Sequence, residues 1–161
     1  MKRDELLALD DVKLGERCAL EFFKATGNGG QKRNKTSSAV RVRLLEDPRF
    51  WAEDCTERSQ HRNRACALRK LRYRLALELR EAAADETLPE TLAVSSKNPD
   101  YFLFLARIFD CLAEYEYDYR PAADRLGTSR SALLKKLADD PEAWTALNRG
   151  RDNCGLPRWK C

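Results

Sequence analysis

The chain has 161 residues, of which 43% are apolar and 35% are charged. This balance favours folded domains and argues against a wholly disordered chain. No run approaches the roughly 20 apolar residues of a membrane-spanning helix, and no apolar signal core follows the N-terminus. We therefore expect a cytoplasmic protein that makes no membrane contact.

Six cysteines are scattered without any CxxC pair, and His61 is the single histidine. Zinc sites draw on closely spaced Cys and His ligands, so we expect neither a metal site nor a cofactor. Reduced thiols are typical of a cytosolic chain. Cys18, Cys66 and Cys111 are predicted to be buried small hydrophobes.

The net charge of +4 is unevenly distributed along the chain. Residues 27–82 contain 14 basic and 7 acidic side chains, whereas residues 83–119 contain 2 basic and 8 acidic ones. A basic block beside an acidic one indicates a polyanionic partner for the basic block.

The first half of the chain predicts strands around a glycine-rich loop. Residues 17–25 are rich in bulky apolar side chains and predict a strand, and the sequence TGNGGQ that follows predicts a loop. Residues 39–45 alternate apolar and basic, which places Val40, Val42 and Leu44 on one face of a strand. The turn signal EDPRF and a strand near residues 50–55 complete a hairpin.

Helical periodicity dominates the remainder. A long basic helix is predicted from Ser59, a plausible N-cap, to about Ala84. Further helices are predicted at about 100–116 and 141–149. Between them, PAADRLGTSRSALLKKL has the pattern of two helices joined at Gly127, with Ala123 and Leu133 at helix-turn-helix spacing. The expected domains are therefore residues 1–83 and 100–161, with residues 84–99 as the linker.

The loop itself is suited to close approach to another molecule. Three glycines leave its backbone N–H groups able to donate to an anion or a developing oxyanion. Lys32, Arg33 and Lys35 follow at once and suit a phosphate-rich partner. From the residues alone, a plain flexible surface turn beside a basic strand is the stronger interpretation.

Two linked signatures change that balance. The run TGNGGQKRNKTSSAVRVR and the later ERSQHRNRACAL resemble, in the same order, the catalytic domain of class I peptide chain release factors. They also resemble the short release-factor-like proteins that rescue stalled ribosomes. The resemblance covers about residues 15–82. It implies an α+β fold, with a small GGQ-type domain of three to four strands packed on a long helix. The all-α C-terminal extension carries the helix-turn-helix-like segment.

The resemblance also implies roles for individual residues. Gly29, Gly30 and Gln31 match the loop that enters the peptidyl transferase centre, where the Gln31 N–H would stabilise the oxyanion and the leaving 3′ oxygen. The loop would be supported by Gly27, Asn34 and Thr36. Contacts to ribosomal RNA would come from Lys32, Arg33, Lys35, Arg58, Gln60, Arg62 and Arg64. His61 is expected to be structural or RNA-facing, and Gln31 to be N-methylated.

The implied function is codon-independent hydrolysis of peptidyl-tRNA, because no decoding domain is recognisable in the 26 residues before Gly27. The partners would be large-subunit ribosomal RNA and the peptidyl-tRNA in the P site. Arg149, Arg151, Arg158 and Lys160 either form a tail that reaches the mRNA channel or are ordinary charges of a helical domain. The alternatives are a GGQ protein that acts only with a rescue partner protein, and a DNA-binding regulator using Arg130 and Lys135. DNA is the weaker partner because an acidic stretch precedes those residues.

Overall fold

The structure, a computed structural model, describes residues 2–24, 38–82 and 94–160. These ranges contain seven helices and a three-stranded antiparallel sheet, so the predicted combination of helices and strands is confirmed, while the specific GGQ-type arrangement stays a prediction. The chain divides into two compact units, Met1–Leu75 and Ala76–Cys161. Most of the expected linker lies outside the described residues.

The first unit opens with two short helices, α1 (Arg3–Leu7) and α2 (Asp11–Glu16), which the sequence pattern did not predict. The Asp10 side chain caps α2 by accepting a hydrogen bond of 2.8 Å from the backbone N–H of Lys13. Leu14 is fully buried. Helices of five or six residues are too short to show a 3.6-residue period, which explains why they were missed.

The sheet follows in sequence order as β1 (Cys18–Phe23), β2 (Ala39–Leu44) and β3 (Trp51–Asp54). Its interior face carries the predicted apolar side chains of β2, all fully buried: Val40, Val42 and Leu44. The β2–β3 hairpin is also confirmed. Its turn is closed by hydrogen bonds from Leu44 N–H to the Phe50 carbonyl and from Phe50 N–H to the Asp47 carbonyl.

The long helix α3 (Gln60–Glu78) begins where predicted, with the Ser59 hydroxyl accepting from the Arg62 N–H at 3.4 Å. Its predicted end near Ala84 is wrong, because the helix stops at Glu78. Side chains instead bond to backbone groups at this end of the helix. The Arg80 guanidinium donates to the Ala76 carbonyl, and the Asp110 carboxylate accepts from the Glu81 N–H at 3.2 Å.

The second unit contains α4 (Tyr101–Glu114), α5 (Tyr119–Arg125), α6 (Arg130–Ala138) and α7 (Pro141–Asn153). The predicted pair of helices joined at Gly127 is confirmed. Gly127 has φ = 66°, a left-handed conformation that suits the residue after a helix end. The Ser129 hydroxyl caps α6, and Ala123 and Leu133 are fully buried.

None of the helices that the structure describes is long and apolar enough to cross a membrane. Across the same residues, no cluster of His, Cys, Asp and Glu has the makings of a metal site. Cys18 and Cys111 are buried as predicted, whereas Cys66 is only half-buried, and each is a free thiol.

Candidate functional site

The predicted catalytic segment, residues 25–37, lies outside the described residues. The roles assigned there therefore stay predictions, for Gly27, Gly29, Gly30, Gln31, Lys32, Arg33, Asn34, Lys35 and Thr36. What the structure does describe is the framework that holds both ends of this segment and the second signature beside it.

The two ends of the segment are held at the same end of the neighbouring strands β1 and β2. Phe23, the last residue of β1, pairs with Ala39, the first residue of β2. Directly paired residues of antiparallel strands have Cα atoms roughly 5 Å apart. The segment therefore leaves the sheet after Lys24 and returns at Ser38, beside its own starting point.

Asn63 joins the returning end of the segment to the second signature. Its side chain is fully buried. The side-chain amide donates to the carbonyls of Ser38 at 2.6 Å and Glu57 at 2.9 Å, while its oxygen accepts from the Glu57 N–H at 2.8 Å. Because a buried amide is costly to leave unpaired, these bonds fix the first turn of α3 against the end of the glycine-bearing segment.

A second buried group, Asp54, holds the chain just before that turn. The residue is 4% exposed, and its carboxylate accepts from the Thr56 N–H at 2.9 Å and the Thr56 hydroxyl at 2.7 Å. The ammonium of Lys70 on α3 lies 2.7 Å away. Burial alone would raise the pKa of Asp54, but the hydrogen bonds from Lys70 and Thr56 outweigh it and lower the pKa below its ordinary value.

The start of α3 presents polar side chains at the surface. Arg58, Gln60, His61 and Arg62 are all exposed. The Arg62 guanidinium lies 3.6 Å from the Glu57 carboxylate, a solvated pair that contributes little to stability. A role in RNA binding remains a prediction for each of the three RNA-binding candidates in this turn.

Arg64 has a different environment from its neighbours in the same helix. It is half-buried, and its guanidinium packs directly against Gly15 of α2, where any Cβ would overlap it. The structure therefore gives Arg64 a packing contact within the first unit, and its predicted RNA contact stays a prediction.

Sequence reasoning missed a charge cluster on the sheet. Arg41 of β2 pairs in register with Glu21 and Glu53, and its guanidinium lies 3.3 Å and 2.8 Å from their carboxylates. The same guanidinium lies over the rings of Phe23 and Trp51, 5.1 Å and 5.4 Å from their centroids. The available signal was the alternation of arginines in β2 together with a glutamate in each neighbouring strand. Arg41 is thus part of a cross-strand network.

The basic residues near the C-terminus do not form one group. Arg149 lies 3.8 Å from Glu78, and Arg158 pairs with Asp152. Arg151 is only 6% exposed and donates to the carbonyls of Tyr117 and Pro157, each at 2.9 Å. Arg151 therefore holds the described tail against the helical unit instead of extending from it.

The helix-turn-helix-like pair carries the residues of the DNA hypothesis. Arg130 and Lys135 of α6 are exposed, and the Arg130 guanidinium lies 4.0 Å from Asp124 of α5. Two helices crossing at a glycine are commonly a packing unit, and duplex binding by α6 stays a hypothesis.

Comparison with known proteins agrees with the signatures. The model of the RF-1 domain family matches residues 12–98, more than half of the chain. The chain belongs to the RF-1 domain family. Over 79 residues it is 47% identical to peptide chain release factor 2 of Paramagnetospirillum magneticum, which covers 46% of this chain and 21% of that protein.

Other relatives give the same picture. The chain is 47% identical over 75 residues to peptide chain release factor 1 of Acidiphilium cryptum, covering 46% of this chain and 21% of that protein. The chain is 39% identical over 87 residues to peptide chain release factor 2 of Pseudothermotoga lettingae. This match covers 52% of this chain and 23% of that protein. The chain therefore spans about a fifth of the length of these curated relatives. No solved structure matches it.

Proposed function

We propose that this chain catalyses ribosome-dependent hydrolysis of the ester bond in peptidyl-tRNA, with Gly29, Gly30 and Gln31 as the catalytic loop. The observation that carries the proposal is the buried Asn63, which ties the end of the glycine-bearing segment at Ser38 to the second signature at Glu57. Both signatures lie inside the RF-1 domain match. The framework thus connects the two sequence runs on which the resemblance to release factors rests.

The proposed chemistry rests on a backbone donor. Water adds to the ester carbonyl that joins the peptide to the tRNA 3′ oxygen, and the bond to that oxygen breaks as the oxygen takes up a proton. The N–H of Gln31 donates to the developing oxyanion and the leaving oxygen. Gly29 and Gly30 allow the backbone to turn this N–H toward the ester. The Gln31 side chain places the water and excludes larger nucleophiles.

Binding would come from the basic first half of the chain. Residues 27–82 hold an excess of seven basic over acidic side chains. We assign the contacts with ribosomal RNA phosphates to the exposed signature residues Arg58, Gln60 and Arg62, and to Lys32, Arg33 and Lys35 beside the loop. Release of counterions from phosphate predicts affinity that falls steeply with salt.

The test is single-turnover release of peptide from ribosomes that hold peptidyl-tRNA in the P site and an empty A site. Gln31→Pro removes the proposed N–H and should slow release by about 10²–10³-fold. Gly30→Ala should also abolish rapid release. Gln31→Ala keeps the N–H and should be less impaired than Gln31→Pro. Asn153→Ala, an exposed change at the end of α7, is the control and should leave release unchanged.

The remaining arms separate the alternatives. Equal release with and without a stop codon in the A site supports the codon-independent, rescue-type activity. Ribosome binding without release points to the requirement for a rescue partner protein. If Gln31→Pro releases peptide as fast as the unmodified chain, the backbone mechanism is wrong. If the chain binds duplex DNA but no ribosome, the regulator hypothesis replaces this one.

A further inference from the structure

The second unit contains a cavity that the proposed hydrolysis does not use. Its volume is ≈ 400 Å³, and it lies between the start of α5 and the C-terminal tail. This volume is within the range of small-ligand sites. Its walls combine two aromatic rings with several cations. They include Tyr119, Trp159, Arg120, Arg151 and Lys160, with Pro157 beside them.

The tail forms a fixed wall of the cavity. The Asn148 side chain pairs with the backbone of Trp159, accepting from its N–H at 2.8 Å and donating to its carbonyl at 3.2 Å. The buried Arg151 holds the Pro157 carbonyl at 2.9 Å. Two side chains of α7, Asn148 and Arg151, therefore hold in place the tail residues that line the cavity.

The cavity has an excess of positive charge. Among the described residues, no carboxylate lies within ion-pair distance of Arg120, Arg151 or Lys160. A fourth lining cation, Arg158, is neutralised by Asp152 outside the lining. The lining carboxylate, Asp118, accepts from the Arg120 N–H at 3.0 Å as the cap of α5. The cavity is therefore suited to an anion.

The aromatic rings of the cavity indicate which kind of anion it would bind. Tyr119 and Trp159 meet edge to face, with centroids 5.0 Å apart and planes at 90°. The Arg151 guanidinium lies 5.7 Å from the Trp159 ring, and the Arg120 guanidinium lies 6.0 Å from the Tyr119 ring. Aromatic rings interleaved with cations are the combination with which proteins bind the bases and phosphates of single-stranded RNA.

We propose that this cavity binds a nucleotide of single-stranded RNA, with Arg120 and Lys160 at the phosphates and Tyr119 and Trp159 against the base. The site adds a second RNA contact to the chain. It does not depend on hydrolysis by the glycine loop, so either function can fail without the other. An acidic peptide would satisfy the cations but would leave the rings without a planar partner.

The test follows the indole N–H signals of the full chain labelled with ¹⁵N-tryptophan while a tetraribonucleotide of adenosine is added. The three signals belong to Trp51, Trp144 and Trp159, and Trp159→Phe assigns the last. The Trp159 Nε1 is buried without a hydrogen-bond partner, which makes its proton a sensitive reporter of a change in the cavity. We expect the Trp159 signal to shift in a saturable manner and Trp51 and Trp144 to remain still.

The pocket variant is Arg120→Gln with Lys160→Gln. Its matched control is Lys13→Gln with Lys97→Gln, which changes the charge equally at exposed positions that do not line the cavity. The pocket variant should bind roughly tenfold more weakly. The plot of log affinity against log salt concentration should become less steep, its slope smaller in magnitude by about 1.4, because two phosphate contacts are lost. Tyr119→Leu should weaken binding without changing that slope.

Three results would overturn the proposal. The first is an RNA titration that moves Trp51 and leaves Trp159 unchanged. The second is an equal loss of affinity in the pocket and control variants, provided that both retain the indole spectrum of the folded chain. The third is tighter binding of a tetraglutamate peptide than of the tetraribonucleotide at Trp159, which would assign the cavity to an acidic protein segment.

Discussion

The side-chain amide of Asn63 donates a hydrogen bond of 2.6 Å to the carbonyl of Ser38, across 25 positions of sequence. Ser38 is the first described residue after the glycine-bearing segment, and Asn63 lies in the first turn of α3. One buried side chain therefore sets the distance between the end of the proposed catalytic loop and the helix that follows it.

Replacing this side chain should destabilise the first unit. Asn63→Ala leaves the Glu57 N–H and the carbonyls of Ser38 and Glu57 without their partner in a buried site. Unpaired buried groups of this kind cost roughly 2–4 kcal/mol in total. Urea denaturation measures the loss. Asn153→Ala, the same change at an exposed position, should alter stability by less than about 0.5 kcal/mol.

The contacts of Asn63 are an example of structure that the sequence pattern does not predict. Alternation located β2 and helical spacing located α3, because each has enough residues to show its period. The bulky apolar run located β1, and the turn signal EDPRF indicated β3. The same pattern said nothing of the Asn63–Ser38 bond, since a hydrogen bond across 25 positions arises only when the sheet and the helix pack together.

Tertiary contacts account for the other failures. The sequence pattern predicts too late an end for α3, because Asp110, distant in sequence, accepts from the Glu81 N–H that a longer helix would use. The sequence pattern leaves Arg151 either in a tail that reaches the mRNA channel or among ordinary solvated charges, whereas the fold buries its side chain and pairs it with the carbonyls of Pro157 and Tyr117. The glycine signature predicted the candidate site by resemblance, and residues 25–37 lie outside the described part of the chain.

The buried Asp54 predicts a specific pH dependence of stability. Its folded pKa lies below the ordinary value of 3.8 because the bonds from Lys70 and Thr56 outweigh the effect of burial. The carboxylate therefore stabilises the fold fully above about pH 5, and this contribution is lost as the pH falls through the lowered pKa.

The corresponding experiment compares the free energy of unfolding of Asp54→Asn and the unmodified chain from pH 7 to pH 3. The deficit of the variant should be largest near pH 7 and should shrink as the pH falls below the ordinary pKa of 3.8, because the unfolded chain then takes up the proton first and the stabilisation by the folded charge declines. Glu16→Gln neutralises an exposed carboxylate of α2 and should show no such trend. A deficit of constant size would mean that the Asp54 charge contributes nothing.

The thiols should differ sharply in reactivity. Burial raises the pKa of Cys18 and of Cys111 to about 11 in each case. At pH 8 only about one such thiol in a thousand is ionised, and the thiolate is the reactive form. Cys154 is exposed.

Alkylation with iodoacetamide at pH 8, followed by peptide mass spectrometry, measures this difference. Cys154 should react within minutes, whereas Cys18 and Cys111 should react only after denaturant is added. Labelling of Cys111 at the rate of Cys154 in the folded chain would show that α4 opens in solution.

Gly150 of α7 is required by the ring that packs on it. A Cβ at this position would overlap the ring of Tyr117, whose backbone has the uncommon φ of 60°. Alanine favours a helix over glycine by about 1 kcal/mol, so Gly150→Ala would stabilise α7 if the ring were absent. With the ring in place, the overlap should dominate and cost about 1–3 kcal/mol.

A double-mutant cycle separates these two effects. In the Tyr117→Gly background, which removes the ring and accommodates the positive φ, Gly150→Ala should be neutral or stabilising by up to about 1 kcal/mol. The sign of the Gly150→Ala effect should therefore reverse between the two backgrounds, as measured by urea denaturation. An equal loss in both backgrounds would show that the ring does not constrain position 150, and the cost would have to arise from the backbone of α7 itself.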